Sequence, residues 1–169
     1  KEGALYDWEN FLLACNMCNS CKKDADVDLE RTHFPHRDNT YMDFIYDESG
    51  RVTVNPALPK EEYEKAENLY NLVKMGRDPF GEEATSNRDF RWRTRFQTWN
   101  IAKKYLGKYE AGKSDLDDIL ELVKGYGHWS IWFTVFKGHD EVRKALIENT
   151  PGTCAACFDA GNHYEPIKR

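Results

Sequence analysis

No run of 18 apolar residues occurs in the chain, which excludes a helical membrane span. The first residues are charged and polar, without the apolar stretch of a signal peptide, and neither an internal repeat nor a low-complexity tract is present. Net positive charge is missing as well. The formal balance is −5, whereas a free-standing protein that neutralises duplex phosphates is usually basic. Histidine is scarce, with five residues, none of them before position 33. A disulfide framework is also absent: five cysteines is an odd count, and Cys15/Cys18 and Cys154/Cys157 have Cys-x-x-Cys spacing. That pattern favours metal ligation in a reducing, cytoplasmic setting, with Cys21 left over.

Core material is plentiful. The 169 residues are 40% apolar and include nine Phe, nine Tyr and five Trp, enough for one domain or a small finger plus a helical lobe. Met42 to Tyr46, Asp47 to Gly50 and Arg51 to Val54 read as strand, turn and strand, closed by Pro56 and Pro59. Lys60 to Met75 is predicted helical, with Ala66, Leu69, Tyr70 and Val73 on one face and Gly76 as its stop. Ser114, with Asp117 three residues on, starts a further helix that ends at Gly125. His128 to Phe136 is a buried helix or strand, and Asp140 to Asn149 a last amphipathic helix. Asp24 to Asn39 is polar and turn-rich, so His33 and His36 are expected to be exposed, with metal ligation by the pair as the alternative.

The strongest basic signal runs from Arg88 to Tyr105, predicted as a second long helix. Arg88, Arg91, Arg93, Arg95, Lys103 and Lys104 are interleaved with Phe90, Trp92, Phe96 and Trp99. Arg88, Arg91 and Arg95 share a face, so a stripe facing DNA phosphates is geometrically possible. The bland alternative is a helix with a solvated basic side and an aromatic core side.

The most informative segment is Trp8 to Lys22. Cys15 and Cys18 form a knuckle that bites one side of a tetrahedral zinc ion. Asn19 follows it directly, Lys22 comes three residues later, and Asn10 lies upstream. An amide oxygen beside such a knuckle suits a hard cation such as Mg²⁺. Trp8, Asn10, Leu12, Leu13, Cys15, Cys18, Asn19 and Lys22 together resemble the second half of the HNH endonuclease motif.

That resemblance implies an α+β, mostly α protein: a ββα-metal finger with its hairpin over residues 1–58, then a helical lobe over 59–169. It implies divalent-metal-dependent hydrolysis of DNA phosphodiester bonds, with structural Zn²⁺ on the cysteines and Mg²⁺ or another divalent cation on Asn19. Asn10 would pin a loop near the active site, and Lys22 would reach a phosphate. The wider chain resembles, more weakly, HNH subunits encoded beside an ATPase in bacterial anti-phage systems of the Septu or retron-associated kind. An ATPase subunit holding part of the DNA would account for the acidic charge.

The histidine that opens such a motif should precede Trp8, and no histidine does. Either it lies upstream of Lys1, as the absent initiating Met suggests, or it comes from the C-terminal end. There Cys154 and Cys157 form a second knuckle, followed by His163 and Pro166. Joined to the N-terminal segment as in a circular permutant, Cys15, Cys18, Cys154 and Cys157 would close a zinc site. His163 would then be the general base, with Asn162 beside Asn19 as an oxygen ligand. A zinc-ribbon interaction module, or a degenerate nuclease acting as a structural subunit, would keep the thiols and lose the catalytic cation.

Overall fold

The computed structural model describes residues 14–81 and 88–167. Over these residues the protein is α+β and mostly helical. A short helix α1 (Asn16–Lys22) leads through an irregular loop to an antiparallel hairpin of β1 (Phe44–Tyr46) and β2 (Val52–Val54). Helices α2 (Lys60–Leu72), α3 (Arg91–Glu110), α4 (Leu116–Tyr126), α5 (Trp129–Val135) and α6 (Asp140–Asn149) follow. A two-residue hairpin of β3 (Phe158–Asp159) and β4 (Glu165–Pro166) ends the described chain. No helix among the described residues is long and apolar enough to cross a membrane.

The main core forms around α5, whose sequence Trp-Ser-Ile-Trp-Phe-Thr-Val is too apolar to leave any face in water. Ile131, Trp132 and Phe133 are buried there with Ala102 of α3, Ile119 and Val123 of α4, and Leu146 of α6. Burial of Trp132 requires a partner for its indole N–H, and the Gly127 carbonyl accepts it at 3.0 Å. A smaller core joins Phe44 and Val52 of the first hairpin to Leu69 of α2. The 58/59 boundary expected from the sequence therefore runs through this second core.

The first hairpin is fixed to α3 by its turn. Asp47 accepts the Ser49 and Arg51 backbone N–H groups, and Gly50 takes a left-handed φ of 78°. A side chain at Gly50 would meet the Phe96 backbone at 2.9 Å, so only glycine permits this close approach.

Several element ends differ from the sequence expectation. α3 begins at Arg91 rather than Arg88, because Asp89 turns back to accept from Arg91 instead of entering the helix. α4 is capped by Asp115 with Asp118 as the reciprocal partner, one residue later than the expected Ser114 and Asp117. Ser114 instead donates to the Asp118 carboxylate at 3.0 Å. Gly127, with φ 67°, stops α4 in place of Gly125.

The last hairpin is held by charge. Arg143 on α6 is 1% exposed and donates to the Phe133 and His163 carbonyls and to the Glu165 carboxylate at 2.9 Å. Burial alone would raise the Glu165 carboxyl, but its bonds from Lys137 and Arg143 outweigh that and hold it below the ordinary glutamate value. A lowered folded value means stability that is present above the ordinary range and lost as pH falls through the lowered one. Acidification should therefore release β3–β4 before the main core melts. The exchange protection of the Ile167 amide, whose N–H donates to the Cys157 carbonyl at 2.9 Å, taken relative to an unstructured amide at the same pH, should fall in acid in the wild type. In Glu165→Gln that protection should stay constant over the same window. Equal acid sensitivity in both proteins would refute the assignment.

Candidate metal centre on the first helix

Cys15 caps the N-terminus of α1, and its Sγ accepts the backbone N–H of Cys18 at 3.3 Å. Spacing then places Cys15, Cys18, Asn19 and Lys22 at i, i+3, i+4 and i+7, on one face of the helix. Cys15 and Asn19 are exposed, Cys18 and Lys22 half-buried. Two sulfurs, an amide oxygen and an ammonium group thus share a single exposed-to-half-buried surface within two helical turns.

Arg91, the first residue of α3, braces this face from behind. Its guanidinium donates to Cys18 Sγ at 3.4 Å and to Cys21 Sγ at 3.8 Å. It also bonds the Val73 and Lys74 carbonyls at 2.8 and 3.0 Å and pairs with the Asp89 carboxylate at 2.8 Å. Arg77 adds a contact to Cys21 Sγ at 3.8 Å. Burial opposes the charge on Arg91, but Asp89 and Cys18 outweigh it and hold the guanidinium firmly protonated.

The two knuckle thiols differ in consequence. Partial burial would raise Cys15, but hydrogen bonds from Cys18 and Met17 and the Arg91 charge bring it below its ordinary value. Burial, together with the Cys15 sulfur, keeps Cys18 above it. Cys15 is thus the readier thiolate of the pair, and Cys18, although it lies against Arg91, the more reluctant one.

The donor chemistry of α1 therefore fits half of a zinc site. Among the described residues no three His, Cys, Asp or Glu side chains converge on a metal position. Cys15 and Cys18 are accordingly not joined by Cys154 and Cys157 into a closed cage. Cys157 is 4% exposed and packs in the main core with Phe158, while Cys154 is half-buried beside it. His163 is exposed, and its Nδ1 lies 2.9 Å from Asp140 on α6. Asn10 and Trp8 lie outside the described residues.

The arginine stripe also resolves differently from its charge pattern. Arg88 is exposed, whereas Arg91 braces the knuckle and Arg95 is 4% exposed. Arg95 donates to the Gly50 carbonyl at 2.9 Å, so its guanidinium serves the turn of the first hairpin. Arg95 is buried and Arg91 half-buried, each with its guanidinium committed to protein acceptors.

One cluster was not anticipated. His33, expected to be exposed, is 7% exposed. Its Nδ1 lies 2.9 Å from Asp43 and its Nε2 3.4 Å from Glu62 on α2. These three side chains form a wall of a cavity of about 210 Å³ that also touches Met42 and Leu58. Burial raises the Asp43 carboxyl above its ordinary value, with His33 opposing. The cluster pins the loop after α1 to α2. No local pattern announces it, because Glu62 lies 29 positions beyond His33. No family model matches the chain, and no curated protein or solved structure matches it either.

Proposed function

We propose that the chain carries the metal-binding part of an HNH-type nuclease and hydrolyses DNA phosphodiester bonds with a divalent cation. The observation that supports this is the single face of α1 carrying Cys15, Cys18, Asn19 and Lys22 in motif order. In this proposal the two thiols hold a structural zinc ion and keep the segment around α1 in shape. Asn19 offers its amide oxygen to the catalytic cation, and Lys22 draws a phosphate towards it. Arg91 orients Cys18 and ties the finger to α3.

The bound divalent cation would supply charge stabilisation at the phosphate and the leaving oxygen. A histidine would accept the proton of the attacking water, with His163 the candidate the sequence offers. The remaining zinc ligands would come from outside the described residues. Service beside an ATPase in an anti-phage complex belongs to the same proposal and rests on the resemblance alone. The half-complete ligand set favours a second possibility, a zinc-dependent interaction module without catalysis.

Elemental analysis of the full-length protein, prepared without chelator, tests the foundation. Wild type should carry stoichiometric zinc. Cys15→Ser and Cys18→Ser should lose it and unfold the finger, because ligation and folding are coupled. Cys21→Ser should keep it, since the proposal assigns ligation to Cys15 and Cys18, and Cys21 Sγ is already contacted by Arg77 and Arg91. Wild-type protein without tightly bound zinc would remove both possibilities.

A further inference from the structure

The outer face of α3 carries a different message from its buried arginines. Positions 93, 96, 97, 100, 103 and 104 are exposed at helical spacing, while Arg95, Thr98 and Ala102 face inward. Arg93, Lys103 and Lys104 stand on this outer face, and α3 has no acidic residue before Glu110. A one-signed stripe about 17 Å long thus crosses a protein whose net charge is −5.

At its N-terminal end the stripe meets exposed aromatic rings. Phe80 is 72% and Phe96 40% exposed. Phe96 stacks on Trp92 with centroids 5.8 Å apart and planes at 13°, and Phe80 meets Trp92 edge-on at 5.7 Å. The Arg51 guanidinium lies 5.9 Å from the Phe80 centroid. Trp92 Nε1 is buried without a hydrogen-bond partner, alone among the buried side-chain polar atoms of the described residues.

We propose that this surface docks single-stranded DNA, with bases stacked on Phe80 and Phe96 and the backbone running along Arg93, Lys103 and Lys104. Charge complementarity selects a polyanion, and adjacent lysines are depleted where proteins meet proteins. The rings then select the strand state. Bases in a duplex already stack on one another, whereas an unpaired base offers both faces to an aromatic side chain. The surface deepens the function proposed above: it rests on that reading's choice of DNA as the ligand but not on cleavage, on Asn19 or on bound metal.

The test is fluorescence anisotropy with a labelled oligothymidylate of about 20 nucleotides, longer than one such site needs. It uses full-length Asn19→Ala protein without added divalent cation, so that nothing is cut. The oligothymidylate should bind at least about tenfold more tightly than the matching duplex, because only unpaired bases can stack. Phe80→Ala and Phe96→Ala should each weaken binding by about 5- to 150-fold. Lys103→Glu with Lys104→Glu should reduce the salt slope by about 0.7 per lost contact. Thermal melts check that each variant is folded, and Phe80 is too exposed for its loss to unfold the chain.

Duplex bound as tightly as single strand would overturn the proposal, as would wild-type binding by both phenylalanine variants. So would an oligouridylate bound more tightly than the oligothymidylate. Self-association abolished by Phe80→Ala, with no DNA bound, would make the face an interface between copies instead. Stacking-dependent binding by a protein that never cleaves DNA would sink the nuclease proposal and leave this surface standing. Cleavage that ignores both phenylalanines would do the reverse.

Discussion

Arg91→Ala should be among the most destabilising single substitutions in the chain, costing about 3–5 kcal/mol, the range for breaking a buried ion pair. The Arg91 side chain is 13% and that of Asp89 1% exposed. Truncation strands the Asp89 carboxylate in a poor solvent and leaves the Val73 and Lys74 carbonyls without their donors. It also removes the brace from Cys18 and Cys21, so α1 should detach from α3. For a chain of this size that loss corresponds to about 6–20 °C in melting temperature. Arg91→Lys should recover only part, since an ammonium group cannot serve a carboxylate and two carbonyls in one plane. Arg93→Ala supplies the contrast: the residue is exposed, and its loss should change stability by no more than about 0.5 kcal/mol. Similar melting curves for Arg91→Ala and Arg93→Ala would show that Arg91 does not bear on the fold.

The same pair of residues shows where sequence reasoning reaches and where it stops. Arg91 and Arg93 are indistinguishable as letters in a basic, aromatic-rich stretch. Their fates diverge because Asp89 ends the preceding loop beside Arg91 and because Cys18, 73 positions away, packs against the same guanidinium. Long-range pairings of this kind leave no local periodicity. His33 is a second case. Its polar neighbourhood suggests exposure, yet Asp43 and Glu62 enclose it.

Local signals were read more faithfully. α6 spans Asp140–Asn149, as its apolar spacing predicts, and the Asp-Glu-Ser-Gly turn sits between the two paired strands. α5 resolved as a helix because Gly127 and the left-handed His128 break the chain just before it. The knuckle motif was legible for the same reason, since Cys15, Cys18, Asn19 and Lys22 lie within eight consecutive residues; that they share one face of α1 came from the structure. Further ligands that a zinc ion on α1 would need do not gather there among the described residues, and spacing carries no information about them.

In the nuclease proposal Asn19 separates catalysis from architecture. It is exposed, and its backbone N–H and carbonyl already serve the helix through Cys15 and Lys23. Removing its side chain therefore costs the fold little. In the nuclease proposal the same side chain positions the cation, and its loss should reduce cleavage by at least about 10²-fold, the scale of losing one preorganised charge-stabilising group. Asn19→Asp and Asn19→His should retain a fraction of the activity, because each keeps a metal-competent atom at that point of α1. The measurement is Mg²⁺-dependent plasmid cleavage by the full-length native protein, with any ATPase partner present, alongside zinc content and melting temperature. The expected result is a cleaving wild type and an inactive Asn19→Ala protein that keeps its zinc and melts within about 2 °C of it, as a surface substitution should. Asn19→Ala cleaving as fast as wild type would contradict the nuclease assignment at this helix and leave the zinc module in its place.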